Sequence, residues 1–130
     1  MDTPNSTQQD LASRVEALTA LLTHLEQELQ SLSNEREIAP PRCWISRYQA
    51  RGKTKNYWYY KWQSQAPIFP TESGKKTRYR HLGKAGSQAY LAAVTSQVHR
   101  ATYEGLQQAI STLKGGLQDL FDESEKNRTE

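Results

Sequence analysis

The stretch "KNYWYYKWQSQ", residues 55–65, places five aromatic rings in six positions, with Lys61 among them. A β-strand turns successive side chains to opposite faces. Trp58, Tyr60 and Trp62 therefore share one face, and Tyr57, Tyr59, Lys61 and Gln63 the other. A run with this period reads as the middle of a small sheet, with a core on one side and a contact surface on the other. Strand-like segments stand on either side of it. "RCWISRYQA" (42–50) leads through the basic turn "RGKTKN" (51–56) into the aromatic run. The longer turn "APIFPTESGKK" (66–76) then leads to "TRYRHL" (77–82), which ends at Gly83. The pattern predicts a three-stranded antiparallel meander, too small to stand without a cover over one face.

The following segment supplies that cover. Ser87 is suited to cap a helix N-terminus, and Leu91, Val94, Val98 and Ala101 follow at helical spacing. The expected fold class is thus α+β, with the sheet backed by a C-terminal helix. Its inner face is expected to hold Trp58, Tyr60, Trp62 and Tyr79, with Trp44 and Tyr48 from the first strand. The open face is expected to hold Tyr57, Tyr59, Lys61, Arg78 and Arg80, with Arg47 and Gln49. A register error of one residue would invert any of these assignments. The apolar stripe changes phase at Gly105 and restarts as Leu106, Ile110, Leu113, Leu117 and Leu120. Gly115–Gly116 is expected to break or end the helix, and residues 122–130 to form a disordered acidic tail.

Ahead of the sheet lies a heptad. Leu11, Leu18, Leu25 and Leu32 are seven apart, as are Val15, Leu22 and Leu29, which makes an unbroken 4-3-4-3 seam. Leu21 widens the stripe. Residues 10–36 are read as a coiled-coil oligomerisation helix between a disordered N-terminus (1–9) and a proline linker (37–41). One alternative lays this helix on the body of the domain. The stripe at 106–120 is a further partner for it.

Charge is sharply divided. Residues 1–41 carry two basic and seven acidic side chains, residues 42–84 eleven and one, and residues 85–130 four and six. A block of net charge +10 between acidic flanks points to a polyanionic partner. Its candidate contact residues are Arg47, Arg51, Lys53, Lys55, Tyr57, Tyr59, Lys61, Lys76, Arg78, Arg80 and Lys84. A β-ribbon fits the major groove of duplex DNA, arginine can bond guanine in bidentate fashion, and the remaining cations can neutralise phosphates.

No glycine-rich phosphate loop, nucleophile elbow or paired His–Glu metal spacing is present, so the reading is non-enzymatic, with no cofactor and no metal. His24, His81 and His99 read as structural or solvated, and Cys43 as a buried thiol. With one cysteine no internal disulfide can form. No apolar run reaches the length of a membrane span, and a cytoplasmic setting is expected. The low hydrophobic content, 35%, and mean hydropathy of −0.88 imply that some of the chain is helix projecting into water, coiled coil or tail.

The stretch "TRYRHLGKAGSQAYLAAVTSQV" resembles the strand end, Leu-Gly turn and alanine-rich helix of two groups of DNA-binding domain. One is the arm-type domain at the N-terminus of phage and transposon tyrosine integrases. The other is the plant ethylene-response-factor domain. The resemblance covers about residues 42–104 and implies a sheet that lies in the major groove, with Arg47, Lys61, Arg78 and Arg80 as readers or phosphate clamps. The long second turn departs from that pattern, and the chain is too short for a recombinase. Two other readings stay open. Exposed tyrosines could stack the bases of RNA or single-stranded DNA, or the chain could be a coiled-coil adaptor with a basic patch.

Overall fold

The structure, a computed structural model, describes residues 6–129, and their side chains as far as Lys126. The elements are α1 (Ser6–Glu35), β1 (Cys43–Arg51), β2 (Asn56–Ser64), β3 (Phe69–Pro70), β4 (Lys76–Thr77), β5 (Tyr79–Gly83) and α2 (Gln88–Thr129). The chain is α+β, as its sequence implies. It divides into two units: residues 36–102 form one, and residues 1–35 with 103–130 the other. No helix among the described residues is long and apolar enough to cross a membrane.

In the first unit β2 is the central strand of an antiparallel sheet ordered β1-β2-β5. The β1–β2 register pairs Ile45 with Trp62 and Tyr48 with Tyr59. Trp62 faces Arg80 across the other edge, and the pairing shifts by a bulge between Tyr60 and Lys61. The long second turn is partly ordered: β3 and β4 pair as a short ribbon that carries Phe69 into the core. That core consists of Trp62, Phe69 and Leu82 from the sheet side, Ala93 from α2, and Ala39, with Cys43, Ile45, Tyr60 and Ile68 packed around it. Cys43 is therefore only half-buried at its margin.

Three expectations of facing are corrected. Trp44 is 40% exposed and Tyr48 pairs with Tyr59 on the open side, so the inward residue of β1 is Ile45. Tyr79, 46% exposed, also lies on the open side, and Leu82 takes the inward place on β5. Arg80, Arg47 and Gln49 lie on the helix side, Gln49 paired with Trp58, and the two guanidinium groups cover the rings of Phe69 and Trp58. The apolar stems of the two arginines let them line a core margin while the charged heads reach water.

The face that α2 turns to the sheet also differs from the expected stripe. Ala93 and Ser96 are buried, while Leu91 and Val98 are exposed. Small side chains there let the helix approach the bulk of Trp62. Ser87 caps α2 as expected, its Oγ accepting from the Tyr90 amide and donating to the Leu82 carbonyl. Gly83, just before, has φ +92°, and a Cβ there would meet Ser87 Oγ at 3.4 Å. Residues 36–41 are not a free spacer. The Ala39 amide donates to the Ser96 carbonyl, Arg100 Nε donates to the Ala39 carbonyl, and His99 Nδ1 donates to the Glu37 carbonyl.

In the second unit α1 and residues 103–129 of α2 run antiparallel. Arg14 pairs with Glu123 at 3.1 Å, and Leu18 lies against Gly116. The expected break at Gly115–Gly116 does not occur, because Gly116 faces Leu18 and its lack of a side chain admits the neighbouring helix. Helix extends through Thr129, into the segment expected to be disordered, and residues 6–9 are helical too. Residues 1–5 and 130 lie outside the described residues.

Trp62→Ala is expected to cost about 3–5 kcal/mol, and Trp58→Ala, on the same face but 45% exposed, much less. Chemical denaturation of both variants checks the order, and the opposite ranking would contradict this core. Gly83→Ala, strained at its positive φ, is expected to cost about 1–2 kcal/mol by the same assay.

Candidate nucleic-acid interface

The face of the sheet turned away from α2 is built by strand alternation. β1 gives it Trp44, Ser46, Tyr48 and Ala50; β2 gives Tyr57, Tyr59, Lys61 and Gln63; β5 gives Tyr79 and His81. None of these ten side chains is acidic. The single carboxylate of residues 42–84, Glu72, lies in the turn of the β3–β4 ribbon.

Aromatic groups order this surface. Tyr48, Tyr59 and His81 form a ring cluster with centroids 5.5–6.2 Å apart. Tyr48 Oη and His81 Nδ1 share a hydrogen bond of 2.6 Å, which ties β1 to β5 across the central strand. Lys61 Nζ lies over Tyr48 at 5.1 Å and over Tyr79 at 4.4 Å, so the cation is held in the middle of the face. At the β1–β2 end, Lys55 and Lys84 lie over the Tyr57 ring, at 5.5 and 4.9 Å. The turn that carries Lys53 and Lys55 is closed by the Gly52 amide donating to the Lys55 carbonyl. A Cβ on Gly52 would stand 2.5 Å from the Tyr57 ring, so glycine there sets where that ring rests.

The residues singled out from sequence separate accordingly. Tyr57, Tyr59 and Lys61 meet on the open face, Lys55 and Lys84 flank the Tyr57 ring at its turn end, Lys53 lies in the turn itself, and Arg51, the last residue of β1, shares the parity of Ile45 on the helix side. Arg47 and Arg80 lie on the opposite side of the sheet. Lys76 lies in the β3–β4 ribbon, and Arg78 in the bend before β5, where its carbonyl accepts from the Ser64 amide. Sequence reasoning left Trp44, Tyr48, Tyr79 and His81 off the open face. The signal that would have found them is the pair of aliphatic residues Ile45 and Leu82, whose inward positions fix the parity of both edge strands. Among the described residues no group of three or more His, Cys, Asp or Glu side chains is placed to hold a metal ion.

Gly52→Ala is expected to shift the Tyr57 ring resonances in an NMR spectrum and to leave those of Tyr60 and Tyr90 in place. An unmoved Tyr57 would contradict the packing of the turn. Compared with known proteins, the chain matches no protein-family model, no curated protein and no solved structure, so a functional reading rests on the geometry of this face.

Proposed function

We propose that the chain is a non-enzymatic DNA-binding protein that contacts duplex DNA through the open face of its sheet. The observation that carries this reading is an uncovered three-stranded face without a carboxylate, in a unit with thirteen basic and two acidic residues. Three strands at about 4.8 Å spacing are roughly 10 Å across, which suits a major groove about 12 Å wide. Lys61 stands where the groove floor would lie, and Lys53, Lys55 and Lys84, at the turn end, stand where a phosphate backbone would pass. The resemblance to sheet-type integrase and ethylene-response-factor domains suggests docking by a sheet, but of the readers it implies Lys61 lies on this face while Arg47 and Arg80 lie on the other. Self-association, expected from the heptad, would offer two such faces to two half-sites. A role in transcription or in mobile-element regulation is the corresponding analogy.

A second reading has its own observation. The Tyr48–Tyr59–His81 cluster is a ready stacking platform, which would suit unpaired bases of single-stranded DNA or RNA.

Fluorescence anisotropy at several salt concentrations tests both. Lys55→Ala and Lys84→Ala are each expected to lower the slope of log affinity against log salt by about 0.9 on duplex DNA, the mark of one lost phosphate contact, and Lys61→Ala, on the groove floor, to cost about 1–3 kcal/mol on a preferred site. Arg80→Ala, on the other side of the sheet, and Lys114→Ala, on the acidic helical unit, are expected to leave the slope unchanged. Loss of the slope only in Arg80→Ala would contradict the assignment of the face. Single-strand binding tighter than duplex binding, weakened by about 1–3 kcal/mol in Tyr59→Ala, would favour the stacking reading.

A further inference from the structure

The helical unit raises a separate question. Although α1 is thirty residues long and carries an unbroken apolar seam, none of its residues is buried. Helices of this kind owe most of their stability to packing of the apolar face, and α2 covers only part of it. Along one flank α1 and α2 leave a groove of about 410 Å³ lined by Leu11, Ala12, Val15, Leu117, Leu120 and Phe121. Phe121 is 65% exposed and Val15 38%.

We infer that this groove seats the same helical pair of a second copy of the chain, so that two molecules complete a four-helix core. This deepens the self-association in the proposed function and is independent of the nucleic acid. Two features favour a second copy as the occupant. Phe121, an exposed ring, and Ala12, an exposed small residue, line the same groove, so a two-fold axis can lay each ring against the other copy's Ala12. The extent is also sufficient. A thirty-residue helix is about 45 Å long and a pair of helices roughly 20 Å wide, so one flank offers on the order of 800 Å² per partner, the size of a standard stable interface.

Charge gives the association a signature of its own. The helical unit carries four basic and twelve acidic residues, net −8. Two such units repel, so added salt screens the repulsion and tightens self-association, whereas it weakens any DNA complex.

The test is sedimentation equilibrium of the full chain, without nucleic acid, at low and high salt. Wild type is expected at twice 14.9 kDa, more firmly so at high salt. Phe121→Ser and Ala12→Glu, at exposed positions that the monomer does not need, are expected to give the monomer mass with the far-ultraviolet helical signal kept. Leu21→Ser, on the other flank of α1, is expected to remain dimeric. A wild-type mass of 14.9 kDa at both salt concentrations and tens of micromolar protein would overturn the inference. So would a dimer that Leu21→Ser dissociates while Phe121→Ser and Ala12→Glu leave it intact. Because no DNA is present, failure here leaves the reading of the sheet untouched, and the reverse holds as well.

Discussion

Trp62 is the contact on which the sheet unit depends. It sits on the central strand, between Ile45 and Arg80 across the ladders, and only 6% of it is exposed. Everything that reaches it is fixed in place by doing so: Phe69 by the β3–β4 ribbon, Leu82 at the end of β5, Ala93 from α2, and Ala39 through its bonds to Ser96 and Arg100. Burying a side chain of that size is the largest single gain open to so small a core. Strand alternation then leaves no freedom: with Trp62 inward, Lys61 and Gln63 must face out.

The candidate surface follows from the same constraint. α2 covers one side of the sheet, and nothing in its unit covers the other. The tyrosines there are held by one another, by His81 and by the cations above them rather than by a hydrophobic layer. A surface of rings and lysine, free of carboxylates, is the chemistry that the proposed polyanionic partner with flat bases would need. Most acidic residues are gathered in the helical unit, so the chain separates its positive charge from its negative charge.

Much of this was legible in the residues. The period of the aromatic run places Trp58, Tyr60 and Trp62 on one face, Ser87 announces the start of α2, and the heptad marks the seam of α1. What was not legible has physical causes. Size misled on the edge strands: Trp44 and Tyr79 look like core, yet the smaller Ile45 and Leu82 occupy it. The bulge between Tyr60 and Lys61 shifts the β5 register, and no local feature of the sequence announces it. On α2 the more hydrophobic stripe, with Leu91 and Val98, lost to Ala93 and Ser96, because close approach to a tryptophan rewards small side chains. Glycines at 115 and 116 lower helix propensity, but Gly116 is where Leu18 comes close, so packing outweighs propensity. A heptad reveals a seam without naming its partner, and here residues 103–129 of the same chain take up part of it.

The central claim is that one face of the sheet is core and the opposite face meets nucleic acid. The seven tyrosines test it in a single titration, because they divide by location. Tyr48, Tyr57, Tyr59 and Tyr79 lie on the open face; Tyr60 and Tyr90 pack ring to ring between sheet and helix; Tyr103 belongs to the helical unit. With tyrosine rings labelled for NMR and a duplex added stepwise, the account predicts shifts of the four open-face rings, with the other three unmoved. Shifts confined to Tyr60, Tyr90 or Tyr103 would contradict it.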